Sequence, residues 1–456
     1  MSNTVTNTVT NTVTNGGLTA LQGTALYVGA VLGTGVIALP GLADRAAGPA
    51  SLLAWVLLVG FSVPLAATFA ALGSRYPDAG GVSSYARAAF GRSAGELVGW
   101  CFYFAIPVGA PAAALIAGGY LAAASGGGRT TVEVTAAALI AAVLLANAGG
   151  LQVSARLQLA AAGVLVLFLA LSVVLALPHA QARHLHPFAP HGWWAVSSAA
   201  GLLVWSFAGW EAITSLAGDF RHPARDLPRA TTAAVLVIGV LYLGVAVATV
   251  TVLGPSADSP APLGDLMAIG LGGRARWLAA ATALLLTFGV LNAYLAGASR
   301  LGQSLADREA LPALLRTDRA GARLRNLGAV ALLVGTSFVL VTTAGLSLHL
   351  LVSLTSALLV CVYAVCVPAA LRLLPAGVPR RVASAAAVAV AAMVVMTGRY
   401  LLAPVLVALA YLCWQGFRRR RPATVTTPLR PPPSAVPSAA AGARPTVAAP
   451  AEERAG

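Results

Sequence analysis

The stretch GAVLGTGVIALPG, Gly29 to Gly41, lies inside the first long apolar run of the chain and resists reading as an ordinary packing seam. A seam between membrane helices wants small residues four apart, whereas Gly33 and Gly35 stand one residue on either side of Thr34, on different helix faces. The alternative is a local break. A break would leave the amides that open the second half-helix, with the positive end of its dipole, facing the middle of the bilayer. That is a site for a carboxylate made without a charged side chain.

A second stretch, WSFAGWE from Trp205 to Glu211, has the same character. Phe207, Ala208, Gly209 and Trp210 precede a glutamate inside an apolar run, and unwinding there would free carbonyls near Trp205 and Ala208 to accept from an ammonium. Gly-interrupted segments at corresponding places in two halves of a chain point to a transporter's substrate site.

Composition sets the frame for both. Of 456 residues 58% are hydrophobic and 9% charged, with mean hydropathy +0.82, which describes a polytopic membrane protein. A bilayer core about 30 Å thick takes roughly 20 apolar residues per helix. Twelve runs fit, near 18–42, 50–73, 95–124, 130–148, 155–178, 194–217, 230–254, 276–305, 326–344, 347–372, 382–397 and 399–417. The first does not read as a cleavable leader, because no basic residue precedes it and its apolar stretch is longer than a signal core. The runs predict an all-α membrane domain over 18–417, with helices one to five and six to ten as an inverted repeat, broken helices one and six, and two extra helices.

All 29 basic residues are arginines, and 23 of them fall on one side if both termini are cytoplasmic. This is the positive-inside pattern, and it accounts for the net charge of +15 without a nucleic-acid partner. Residues 1–17, with NTVT three times over, and 418–456, rich in Arg, Pro and Ala, read as disordered tails. RRRRP, Arg418 to Pro422, suits either anionic leaflet lipids, at roughly 1 kcal/mol per arginine, or a simple stop-transfer cluster.

Cys101, Cys361, Cys366 and Cys413 read as small buried hydrophobes without a disulfide. His179, His184, His186 and His191 crowd one loop, but no scaffold or thiolate argues for a metal. No HExxH motif occurs and no Ser or Cys has a visible base, so the chain does not read as an enzyme.

Glu211 is read as the one acid well inside a span, with Glu96 and Glu133 at span ends. An anion at that depth costs several kcal/mol, so the carboxyl either finds a partner or holds its proton. Proton exchange and a neutral acid bonded to helix backbone are both open, and both can hold at once. The cluster Asp219, Arg221, Arg225 and Asp226 is either a set of gate salt bridges or solvated loop charge.

Four ordered motifs resemble the amino acid, polyamine and organocation transporter superfamily: GTG in span one, SRYPDAGGVSSYARAAFG from Ser74 to Gly91, WSFAGWE in span six, and the HPARDLPRA ending at Ala230. IPVGAPAAALIAGGY, from Ile106, and the span-six run are similar to the bacterial exporters of methionine and branched-chain amino acids. The resemblance implies a substrate site at Val31, Gly33, Thr34, Gly35, Trp205, Phe207, Ala208 and Gly209. In it the amides of Thr34 and Gly35 hold the carboxylate, the Val31 carbonyl meets the amine, and Trp205 adds its ring. Glu211 corresponds to a glutamate of proton sensing and gating. Asn292 stands, by alignment through AGASRL, where arginine-recognising relatives carry a stacking tryptophan, which argues against a flat cationic substrate. Ile106, Trp205, Phe207 and Trp210 are the expected apolar walls.

The expectation is therefore a multi-pass secondary transporter of the inner cytoplasmic membrane. It would export neutral hydrophobic amino acids (methionine, leucine, isoleucine, valine) by proton-coupled alternating access. Its substrate is a small amino acid, its other partner the lipid bilayer, and it needs no cofactor beyond a proton gradient. Sodium stays open, since carbonyls with hydroxyls such as Thr287 make weak sites, and so does a homodimer. An uptake permease or exchanger is the alternative, and a membrane nutrient receptor or channel the reading from another class.

Overall fold

The computed structural model describes residues 17–76, 81–149, 155–211, 217–218, 220–257, 259–318 and 321–420. Met1–Gln415 form one compact unit and Gly416–Gly456 another, of which only 416–420 are described. The two expected tails thus lie outside the described residues, apart from Gly17 and 418–420. The described residues hold no β-strand, only an isolated bridge between Leu18 and Phe220.

Fifteen α-helices are described. In chain order they are α1 (Ala20–Val31), α2 (Gly35–Ala47), α3 (Ser51–Arg75), α4 (Gly81–Phe90), α5 (Arg92–Ser125), α6 (Arg129–Ala148), α7 (Ala155–Ala176) and α8 (Ala195–Leu203). There follow α9 (Pro223–Ala248), α10 (Pro262–Leu271), α11 (Ala275–Asp307), α12 (Ala322–Thr343), α13 (Leu348–Leu373), α14 (Val378–Thr397) and α15 (Leu402–Arg420). Local sequence explains several ends. Thr19 and Gln22 close a capping box on α1, the Ser347 side chain accepts the Leu350 amide at the start of α13, and Pro223 opens α9 where no amide is needed.

Among the described residues nine helical segments are long and apolar enough to cross a membrane, and two of these, Gly35–Arg75 and Val378–Arg418, run to 41 residues and hold two helices each. The outer faces carry bare hydrocarbon. Val134, Leu145, Leu167, Val240, Leu332, Val388 and Val395 are all more than 60% exposed, which only a lipid surround tolerates.

The centre belongs to α5, whose apolar window is 78% buried against 22% for α6. It packs on α6, α11 and α13, while α3 packs on α9 and α14, and α1 on α7 and α9. Pro107 and Pro111 stay within helical α5, as neighbouring helices in a membrane protein permit. The α2 half-helix lies against α8, so the two interrupted segments meet at the middle of the molecule.

Candidate functional site

Both expected interruptions are present. The first run is helical to Val31, turns through Leu32, Gly33 and Thr34, and resumes at Gly35 without a side-chain cap on α2. The second is α-helical to Leu203, tightens to a 3₁₀ turn over Val204–Phe207, and passes through extended Ala208 (φ −70°, ψ 141°) to Gly209. Residues 212–216, where that run would continue, lie outside the described residues.

Two glycines fix how the breaks meet. Gly209 has φ +124°, and a Cβ there would lie 2.9 Å from the Ala30 carbonyl oxygen and 3.1 Å from Val31 Cγ2. At Gly35 a Cβ would stand 2.7 Å from Ser206 Oγ. Gly33, by contrast, has 3.8 Å of clearance to Val290. Close approach, rather than unusual backbone angles, is therefore what the GTG stretch needs at Gly35.

Tyr242 of α9 ties the breaks together, its hydroxyl 2.9 Å from the Val31 carbonyl and 2.6 Å from that of Ser206. A phenol has one hydrogen to donate, so the two carbonyls compete for it. Here the arrangement departs from expectation. The Val31 carbonyl, assigned to a substrate amine, faces Tyr242, and the Trp205 carbonyl already accepts the Ala208 amide at 3.2 Å.

A narrow cavity of about 50 Å³ opens beside the breaks. Thr34, Trp205 and Ala208 line it, with Ile106 of α5. Phe102, Ala105, Gly109, Ala110 and Ala113 of α5, Val290, Leu291 and Tyr294 of α11, and Thr355 and Leu359 of α13 complete it. No charged side chain is among them. Thr34 and Tyr294 have hydroxyls with no protein partner among the described residues, while Thr355 donates to the Leu351 carbonyl at 2.9 Å.

The other expected residues stand behind this wall. Phe207 turns away to stack on Trp55 and Tyr242, and Trp210 packs on Tyr27, because extended Ala208 reverses the facing of its neighbours. Asn292 does not reach the cavity either. Its Oδ1 accepts from Asn147 Nδ2 at 2.8 Å, so the side chain faces α6 while Leu291 and Tyr294 face inward. Tyr294, Thr355 and Leu359 carried no motif, and only the distance between helices in the fold brings them in.

Glu211 is 3% exposed and lies behind the cavity. Its carboxylate accepts from the Gly209 amide, at 3.0 and 3.2 Å, and from the Tyr363 hydroxyl, at 2.7 Å. It is not the only buried acid. Glu96, expected at a span end, is 2% exposed, bonded to Arg92 Nε at 2.6 Å and to the Tyr411 hydroxyl at 2.9 Å.

A further cavity of about 560 Å³, one turn further along α2 and α5 and two turns back along α13, is lined by Ala38, Ile116 and Leu348 together with Arg45, Arg129 and Glu133. Ahead of α1 the chain is pinned to the segment that leads into α9. The Arg221 amide donates to the Leu18 carbonyl at 3.0 Å and Arg221 Nε to the Gly17 carbonyl at 3.0 Å. Asp219, its expected ion-pair neighbour, lies outside the described residues.

Of the cysteines, Cys101 and Cys366 are buried as expected, but Cys361 is half-buried, with its Sγ 3.7 Å from that of Cys101, and Cys413 is exposed on α15. His184 is engaged by the Thr251 carbonyl at 2.9 Å, and no group of three or more metal-binding side chains occurs among the described residues.

A cavity at the meeting of two interrupted apolar segments, inside a bundle whose outer faces are hydrocarbon, defines a membrane transporter. The amino acid permease family model matches residues 18–397, and the chain belongs to that family. It is 33% identical over 321 residues to the amino acid permease YecA of Bacillus subtilis, covering 70% of this chain and 76% of that one. It is 31% identical over 361 residues to the L-methionine/branched-chain amino acid exporter YjeH of Escherichia coli, covering 77% and 85%. The branched-chain amino acid permease BcaP of Bacillus subtilis is 28% identical over 250 residues, half of this chain and 53% of its own. These relatives are transporters, not enzymes, and the chain is a multi-pass membrane protein that carries a small molecule.

Proposed function

We propose that this permease exports neutral, hydrophobic amino acids such as methionine, leucine, isoleucine and valine across the inner membrane, by proton-coupled alternating access. The observation that carries the substrate class is the cavity wall of Ile106, Trp205, Leu291 and Leu359, which has no charged side chain to hold a charged substrate. Thr34, at the start of the uncapped α2 half-helix, supplies a hydroxyl and a positive dipole end for the carboxylate. Ala208 and Tyr294 line the same cavity, and in this reading the carbonyl of the first and the hydroxyl of the second accept from the ammonium.

In this reading twelve spans cross the membrane with both termini cytoplasmic. Spans one to five comprise α1 with α2, α3, α5, α6 and α7; spans six to ten begin with α8 and continue through α9, α11, α12 and α13. The second set repeats the first with inverted topology, and α14 and α15 are appended. Glu211 exchanges the coupling proton beside the site, not as a ligand of the substrate. Likeness to YjeH supports export, and likeness to BcaP keeps uptake as the second reading.

Counterflow of labelled leucine or methionine in proteoliposomes, under imposed proton or sodium gradients, tests the proposal. Saturable exchange accelerated by internal unlabelled substrate and driven by the proton gradient is expected. No flux would leave a receptor, flux without exchange acceleration a channel, and a sodium requirement would remove the proton from the scheme.

A further inference from the structure

A second cavity, polar and of about 140 Å³, lies apart from the central one, where α8 and α13 begin and α14 ends. Ser197, Ser198, Ser353, Thr397, Arg399 and Tyr400 supply its polar lining, and no acid does. Two of the hydroxyls are committed within the protein. Ser197 donates to the Trp194 carbonyl and Thr397 to that of Met393, each at 2.7 Å. Ser198 and Ser353, the latter 4% exposed, have no partner among the described residues.

The Arg399 guanidinium sits 5.2 Å over the Tyr400 ring with Nη2 3.3 Å from its hydroxyl, and no carboxylate pairs with it among the described residues. His349, one turn before Ser353, brings Nδ1 to 3.4 Å from the same hydroxyl. A guanidinium, a phenol and two available hydroxyl donors, with no acid beside them, suit an anionic group with several acceptor oxygens, which is the chemistry of a phosphate.

The setting indicates where that phosphate comes from. The turn at Gly398–Leu401 interrupts the 41-residue apolar segment Val378–Arg418, so it stands at a membrane face. Val395 and Leu402, on either side of the turn, are 80% and 66% exposed, as lipid-facing side chains are. Trp193 and Trp194, just ahead of α8, are exposed at 67% and 89%, the behaviour of aromatic residues at headgroup level.

We propose that this cavity holds the phosphate of a phospholipid headgroup, gripped by Arg399, Tyr400, Ser198 and Ser353. Such a lipid joins three helices. One of them, α8, leads into the second break; another, α13, carries Thr355 of the cavity wall and Tyr363. The lipid would therefore brace the bundle beside the transport site without touching substrate.

The full chain in detergent tests this with phosphatidylglycerol or phosphatidylethanolamine micelles in one arm and inorganic phosphate in the other. Native mass spectrometry is expected to retain one tightly held phospholipid per chain, and added phospholipid to raise Tm by about 2 °C or more. Both effects are expected to vanish in Arg399→Gln, an exposed position where the fold should survive, and in the Ser198→Ala/Ser353→Ala double variant. Undiminished lipid retention and Tm shift in both variants would overturn the site. An equal Tm shift from inorganic phosphate alone would overturn the lipid as occupant, leaving a free anion.

Discussion

Tyr363 donates its hydroxyl hydrogen to Glu211 across 2.7 Å, joining α13 to the break in the second interrupted segment. The same carboxylate accepts the amide of Gly209, two residues earlier, so its charge state is felt both by the unwound backbone and by a helix that lines the cavity. A neutral carboxyl accepts these bonds less strongly than a carboxylate, and in the proposed scheme that difference would let a proton here bias one arrangement of α13 over another.

Glu211→Gln preserves an acceptor oxygen and removes the titration. Substrate affinity is expected to change less than about threefold, under roughly 0.7 kcal/mol, while the dependence of transport on pH disappears. Binding by scintillation proximity and uptake between pH 5 and 8 check the two halves separately. Persistent coupling to an imposed pH gradient would remove Glu211 from the proton path.

Tyr363→Phe keeps the ring contact with Phe69, whose centroid is 5.8 Å away, and deletes only the donor. The loss of a buried bond to a charged group costs about 1.5–3 kcal/mol, so Tm is expected to fall in wild type but hardly at all when the same change is made in Glu211→Gln. A thermal double-mutant cycle reads that coupling. Additive losses would show that the pair does not act as one.

The two glycines of GTG are expected to differ. Gly35→Ala drives a methyl group to 2.7 Å from Ser206 Oγ and forces the two breaks apart, whereas Gly33→Ala meets nothing closer than 3.8 Å. Overpacking of this kind costs about 1–3 kcal/mol. Expression, Tm and leucine affinity should drop for the first variant and stay near wild type for the second.

Gly209→Ala is expected to be worse than either, since φ +124° strains any side chain and the Ala30 carbonyl lies 2.9 Å from the new carbon. Strain of about 1–3 kcal/mol adds to the clash. Size-exclusion profiles of the solubilised protein would report the loss of folded chain.

Asn292→Ala and Leu359→Ala separate wall from scaffold. The first breaks the bond to Asn147 Nδ2 and should lower Tm with leucine affinity unchanged; the second empties part of the cavity wall and should weaken leucine about tenfold while sparing glycine. Competition assays over a panel of amino acids distinguish them.

The sequence by itself determined the membrane class, the helical architecture and the place of both interruptions. Long apolar runs, the spacing of Gly33 and Gly35, and a glutamate after Gly209 are local features whose meaning survives without a partner in space. Thr34, Trp205, Ala208 and Ile106, singled out in the sequence, all line the cavity. What only the tertiary structure decided was which face of each helix looks inward. In water an apolar stripe marks the buried face, but lipid makes the outer face apolar as well, and that stripe vanishes. Asn292 and Tyr294 therefore look alike in sequence although one faces α6 and the other the cavity, and Glu96 looks like a solvated end although Tyr411, far along the chain, buries it. Tyr363 meets Glu211 for the same reason: 152 residues separate them, and only the packing of α13 against the second break brings a hydroxyl to that carboxylate.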